Sequence, residues 1–212
     1  MKNTQVIELH YFPGVSYIKK LIQTESTLFE KHERFQKMSF RNRCMVAGSN
    51  GVIQLSIPLL HGREQRRFIT EVELDNSSCW YKQHWKTLQS CYSRAPFFEY
   101  YGPDVKSMLF SGQPKLFELN LLIIEWVLKV LNINPEPGFT TSYRESYADK
   151  GITDCRNRWL PKNVDVLVSG DTPVYYQVFQ DKIGFQPNLS ILDLLFCEGP
   201  ASLNIILADK KY

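Results

Sequence analysis

The chain has 212 residues, 43% hydrophobic and 22% charged, so it can bury a substantial core and is not globally disordered. Its 25 lysines and arginines against 22 aspartates and glutamates leave a net charge of +3, too small to demand a nucleic-acid partner. Five cysteines without a Cys-x-x-Cys pair give no support to a zinc site or a disulfide framework.

The start, "MKNTQVIELHYF", lacks a long apolar core followed by small residues, so no signal peptide is expected and the cytoplasm is the default. Residues 5–9 read as a first strand, "VSYIKKLI" (15–22) as a short amphipathic helix, and "TLFEKHERF" (27–35) as carrying a second strand. Two apolar runs around Asn50-Gly51 predict a hairpin, because both turn positions tolerate positive φ. "FITEVEL" (68–74) alternates and reads as a further strand.

From Ser77 the period becomes helical: Trp80, His84, Leu88, Cys91 and Tyr92 recur on one stripe, predicting one helix that ends before Pro96. "PKLFELNLLIIEWVLKVLNI" (114–133) is apolar nearly all round and is expected to be the central buried helix. Glu125 and Lys129 interrupt its greasiest part, which is too short to span a bilayer, so no membrane insertion is expected. Residues 134–163 show no sustained period and are expected to be a long irregular loop that covers a site. "VDVLVSG" (164–170) and "YYQVFQ" (175–180) then read as two more strands. Ser190-Ile-Leu-Asp193 fits a capping box with Asp for Glu, and Gly199-Pro200 supplies the stop. Intermixed strands and helices predict one mixed α/β domain over residues 1–212, with α+β as the alternative and strand order open.

No Gly-x-Gly-x-x-Gly, Walker loop, Gly-x-Ser-x-Gly or His-Glu-x-x-His is present. Four looser constellations remain. His10 ends the first strand just before Pro13-Gly14, where α/β proteins place ligands; a hydrogen-bonded structural histidine is the plainer reading. Lys37, Arg41 and Arg43 surround Asn42 and suit phosphate or carboxylate recognition. If that segment is extended, both arginines share one face and Asn42 points inward; a solvated edge strand is the plainer reading. His84, one turn from Trp80 and two from Tyr92, suits a general base tuned by burial, or a core-edge histidine with one structural bond. Asn188, just ahead of a helix start with Ser190, suits a cradle for a polar ligand, and Asp193 could orient His84.

Together, "YFPGVSYIKKL" (11–21), "FEKHERFQKMSFRNRC" (29–44), "LSIPL" (55–59), "WYKQHWKTLQSCYSRAPFFEYY" (80–101) and "FQPNLSILDLLFCEGP" (185–200) resemble the WbqC-like family of bacterial proteins. The resemblance makes the equivalents of Asn42, Arg43, His84, Tyr92, Pro96, Asn188, Ser190 and Asp193 typical motif residues. "LHYFP" stands where that family commonly has a His-Gln-Pro or Gln-Pro pattern. What the resemblance implies is work on a nucleotide-activated (amino-)sugar in bacterial surface-polysaccharide (O-antigen-type) biosynthesis, by acyl or aminoacyl transfer. His84 and Asp193 would then be catalytic; Lys37, Arg41, Asn42, Arg43, Tyr92, Asn188, Ser190 and His10 would bind substrate. No metal and no cofactor is expected. The alternative is a non-catalytic protein that binds a glycan or a biosynthetic partner.

Overall fold

The computed structural model describes residues 3–62, 64–133, 138–147, 151–162 and 172–208. Its first unit is β1 (Thr4–Ile7), α1 (Val15–Ile22) and β2 (Ser26–Phe29). The two strands are parallel, Thr4 opposite Ser26 and Ile7 opposite Phe29. Parallel neighbours cannot be joined by a hairpin, and α1 supplies the crossover, burying Val15, Tyr17, Ile18 and Leu21.

The chain then leaves this sheet through an antiparallel hairpin, β3 (Arg43–Gly48) and β4 (Gly51–Ser56). Gly48 pairs with Gly51, so the loop residues are Ser49 and Asn50 rather than Asn50-Gly51. Neither takes positive φ; Gly51 alone does, at 127°. Cys44 and Val46 point inward from β3, as the two-residue strand period requires. The expected strand at 68–74 is instead a 3-10 turn over Ile69–Glu71 with single bridges on either side.

Three helices follow: α2 (Trp80–Tyr92), α3 (Phe98–Leu109) and α4 (Leu116–Val130). The buried side of α2 is the stripe expected from its spacing, Trp80, His84, Leu88, Cys91 and Tyr92. Helix α3 carries Pro103 in its interior directly after Gly102, a pair that normally stops a helix. Burial of Phe98, Tyr101, Val105 and Met108 outweighs that local signal.

Residues 138–139 and 152–154, within the stretch expected to be irregular, form β5 (Gly138–Phe139) beside β2 and β6 (Ile152–Asp154) beside β1. The result is a four-stranded parallel sheet, β5-β2-β1-β6. These outer strands are too short to display any period. "VDVLVSG" lies outside the described residues. Residues 175–179 are unpaired and lead into one turn, α5 (Gln180–Ile183), so the strand expected there is absent.

The last elements are α6 (Ile191–Glu198) and α7 (Ser202–Leu207). Every residue of α6 from Ile191 to Cys197 is buried, so this short helix, not α4, is enclosed on all sides. Among the described residues, no helix is long and apolar enough to cross a membrane.

The two ends of the chain interlock. Gly14 and Ser190 form an antiparallel bridge, Val15 N donates to Leu189 O, and Ile191 N donates to Pro13 O. Asn188 Oδ1 accepts from Ser16 N at 2.8 Å, the bond an N-cap side chain makes to the second helical residue. The N-cap of α1 is Gly14, which has no side chain, and a Cβ there would meet Asn188 Oδ1 at 2.9 Å. Asn188 thus caps α1 from the far end of the sequence. Because Asn188 also takes a positive φ of 54°, N188A should lose the cap and strain the backbone, costing about 2 kcal/mol in urea unfolding. A loss below about 0.5 kcal/mol would remove the capping role.

Candidate active site at the carboxyl edge of the parallel sheet

Parallel sheets bind ligands outside the carboxyl ends of their strands. There β1 runs into Glu8 and His10, β2 into Glu30 and Glu33, β5 into Thr140, and β6 into Arg156 and Asn157. Glu8, His10, Glu30 and Glu33 are all buried, so each needs a partner.

Arg41 supplies much of that. Its Nε donates to Glu33 Oε1 at 2.7 Å, and Nη2 donates to Glu33 Oε2 at 2.5 Å and to Asn157 Oδ1 at 3.0 Å. Nη1 stands 3.8 Å from Glu8 Oε1. Glu8 also accepts from Asn157 N at 3.0 Å and from His10 Nε2 at 3.1 Å. Burial pushes the Glu8 carboxyl up, but Arg41 and the His10 bond outweigh it and hold it at about 2. A carboxylate accepts only, so Nε2 of His10 carries the hydrogen. Burial lowers the imidazole's own pKa despite Glu8. His10 is therefore neutral at pH 7, with its lone pair on Nδ1, which has no hydrogen-bond partner among the described residues.

His10 lines an inner cleft with Phe12, Tyr17, Trp159, Asn188 and Ser190. The Tyr17 ring lies 4.5 Å from the imidazole, and Trp159 lies 5.5 Å from Tyr17. The space is about 10 Å³, enough for one water-sized group. An outer cleft of about 290 Å³ is lined by His32, Glu33, Arg34, Gln36, Phe68, Tyr143 and Asn157. The contact chain His10–Glu8–Arg41–Glu33 runs from one lining to the other. Beside it, Glu30 accepts from His32 N, Thr140 Oγ1 and Tyr147 Oη.

Of the residues expected to form a site, His10, Asn188 and Ser190 line the inner cleft together. Ser190 Oγ donates to Phe12 O and accepts from Leu192 N. Arg41 faces Glu33 rather than an incoming anion. A 3-10 turn over Phe40–Asn42 breaks the alternation that placed Arg41 beside Arg43. Asn42 is buried and donates to Ile57 O at 2.9 Å. Arg43 reaches Gln54 on the hairpin surface, and Lys37 pairs with Glu64 in solvent. Tyr92 Oη accepts from Ala47 N, tying α2 to β3.

His84 and Asp193 do not pair. His84 Nδ1 lies 2.9 Å from Tyr11 Oη, and burial lowers its pKa to about 4. Asp193 is fully buried; Oδ1 faces Cys197 Sγ at 4.0 Å and Oδ2 has no hydrogen-bond partner among the described residues. Its expected capping-box bond is absent, because Ser190 N donates to Met45 O. Burial raises the Asp193 carboxyl to about 7.

Glu8, Tyr17, Glu33, Asn157 and Trp159 escaped the sequence reading. Glu8 had a usable signal, since it stands two residues before His10 at the end of the strand expected over 5–9, and extended backbone puts both on one face. Asn157 and Trp159 lie in a stretch without any period.

Removing Arg41 strands two buried carboxylates, so R41M should cost about 3–5 kcal/mol in urea unfolding; a cost under 1 kcal/mol would mean the cluster is well hydrated. Asp193 yields a pH test. Its folded pKa is raised from 3.8 to about 7, so the folded chain holds a proton that the unfolded chain releases, and stability falls as pH rises through that window. Relative to D193N, wild type should lose on the order of 2 kcal/mol between about pH 5 and pH 8. Parallel stability profiles for the two proteins would contradict this.

The WbqC-like protein family model matches residues 9–160, a span that includes His10, Arg41 and Asn157. A Mycobacterium tuberculosis (strain ATCC 25618 / H37Rv) protein described as "Uncharacterized protein Rv1507c" is 24% identical over 223 residues, covering 94% of this chain and 95% of its own. No solved structure matches. With most of its length inside the family model, the chain belongs to the WbqC-like protein family.

Proposed function

We propose that this protein is an enzyme in which His10, oriented by Glu8, is the general base for acyl or aminoacyl transfer to the amine of a nucleotide-activated amino-sugar. One observation carries the catalytic part: a neutral imidazole at a strand end, lining a cleft and fixed by a buried carboxylate, with no hydrogen-bond partner for Nδ1 among the described residues. That is the arrangement of a base with its orienting group. The sugar substrate and its surface-polysaccharide setting rest on family membership.

The inner cleft admits a reacting group and not a whole sugar. The amine would lie beside Nδ1 and lose its proton there as its nitrogen attacks the carbonyl carbon of an activated acyl donor. The donor's leaving group would depart with the bonding electrons. Tyr17 and Trp159 keep water away from the base. His84 is not needed for this chemistry; its Nδ1 is engaged by Tyr11.

The test is product formation, by mass spectrometry, from nucleotide-activated amino-sugars and activated acyl or aminoacyl donors. H10N should lower kcat/KM by roughly 10²–10⁴-fold while melting within a few degrees of wild type. Burial lowers the His10 pKa, so the acid limb of wild-type kcat/KM should lie below the ordinary histidine value of about 6.5. Undiminished turnover by a folded H10N would remove His10 from catalysis.

A further inference from the structure

The outer cleft has two aromatic side chains in its lining. Phe68 and Tyr143 line it and are 41% and 53% exposed, so aromatic surface is available to a ligand there. Each is steadied by an arginine lying over one face: the Arg34 guanidinium is 4.7 Å from the Phe68 ring centre, and Arg156 is 5.1 Å from that of Tyr143.

The same lining offers charge and edge contacts. Arg34 donates to the Arg66 carbonyl and has no acidic partner among the described residues. Arg156, by contrast, is held by Asp154 and Glu30. Glu33 faces the cleft, and Arg41 donates to both its oxygens, which leaves Arg34 as the cationic side chain of this lining without an acidic partner among the described residues. Asn157 Nδ2 and the Gln36 side-chain amide have no intramolecular partner among the described residues, and amides of this kind read the edge of a base.

We propose that the outer cleft is a nucleotide-binding subsite. The base stacks on Phe68 and Tyr143, Gln36 and Asn157 meet its edge, and Arg34 binds the phosphates. The cavity of about 290 Å³ lies at the small end of the range for ligand pockets. Sequence pattern alone concealed the pairing, since Phe68 and Tyr143 are 75 positions apart. The inference names part of the substrate in the reading above, but it needs no turnover.

Titration calorimetry of the full chain with UDP, dTDP, GDP, ADP and CDP, and with the matching nucleosides, tests it. At least one diphosphate should bind with one-to-one stoichiometry. F68A and Y143A, both changes to exposed side chains, should each weaken it roughly tenfold. R34A should weaken the diphosphate and leave the nucleoside unchanged. Absence of binding at millimolar nucleotide, or binding that survives both aromatic substitutions, would overturn the proposal. So would an oligothymidylate that binds more tightly than every mononucleotide with steep salt dependence, which marks a strand-binding surface. H10N separates the two readings. Nucleotide binding retained without turnover by either protein supports the subsite and sinks the transferase. His10-dependent turnover of a substrate lacking a nucleotide, with no nucleotide bound, does the reverse.

Discussion

A fully enclosed guanidinium cannot be deprotonated and cannot be left unpaired, and Arg41 imposes that constraint on everything around it. Its side chain joins Glu33 after β2, Asn157 after β6 and Glu8 after β1. Its backbone carbonyl accepts from Asn120 on α4 at 2.7 Å. One residue thus links three strand ends and a helix. The 3-10 turn at Phe40–Asn42 makes this feasible: Arg41 and Asn42 both turn inward before β3 starts with Arg43 at the surface.

The electrostatics of the strand ends follow. The buried carboxylates of Glu8 and Glu33 share one guanidinium, which offsets part of their desolvation cost, and a carboxylate at Glu8 dictates the tautomer of His10. The contrast with His84 is instructive. Both histidines are buried and both have lowered pKa values. His84, however, meets a tyrosine hydroxyl and the Trp80 ring, 5.1 Å away, whereas His10 meets a carboxylate and a cleft. Burial alone does not fix the state of a histidine; the partner decides which ring nitrogen carries the hydrogen.

The second organising contact is the clasp of residues 12–14 with 188–190. It sets Asn188 and Ser190 against the inner cleft while binding them into backbone geometry. Ser190 holds the entry to α6, the helix whose burial on all sides makes it the pillar between α1, α3 and the hairpin. The local grammar at that helix start was readable in part. Ser190 does cap it, while Asp193 turns into the core, because α6 has no solvent face on which a capping carboxylate could lie.

The sequence by itself determined the mixed α/β class, the succession of strand, helix and strand at the start of the chain, the hairpin, and the buried stripe of α2. All depend on short-range periodicity and turn chemistry, which act within a few residues. It also placed His10 at a strand end before a Pro-Gly turn. Tertiary structure decided the rest. Strands β5 and β6 are two and three residues long and exist only because β2 and β1 offer edges to pair with. Helix α3 runs through Pro103 because packing outweighs propensity. Arg41 faces the Glu33 carboxylate rather than the surface because a single 3-10 turn redirected it. The two clefts draw on residues up to 180 positions apart, His10 and Ser190. Such contacts form when the chain closes on itself, and no local pattern records them.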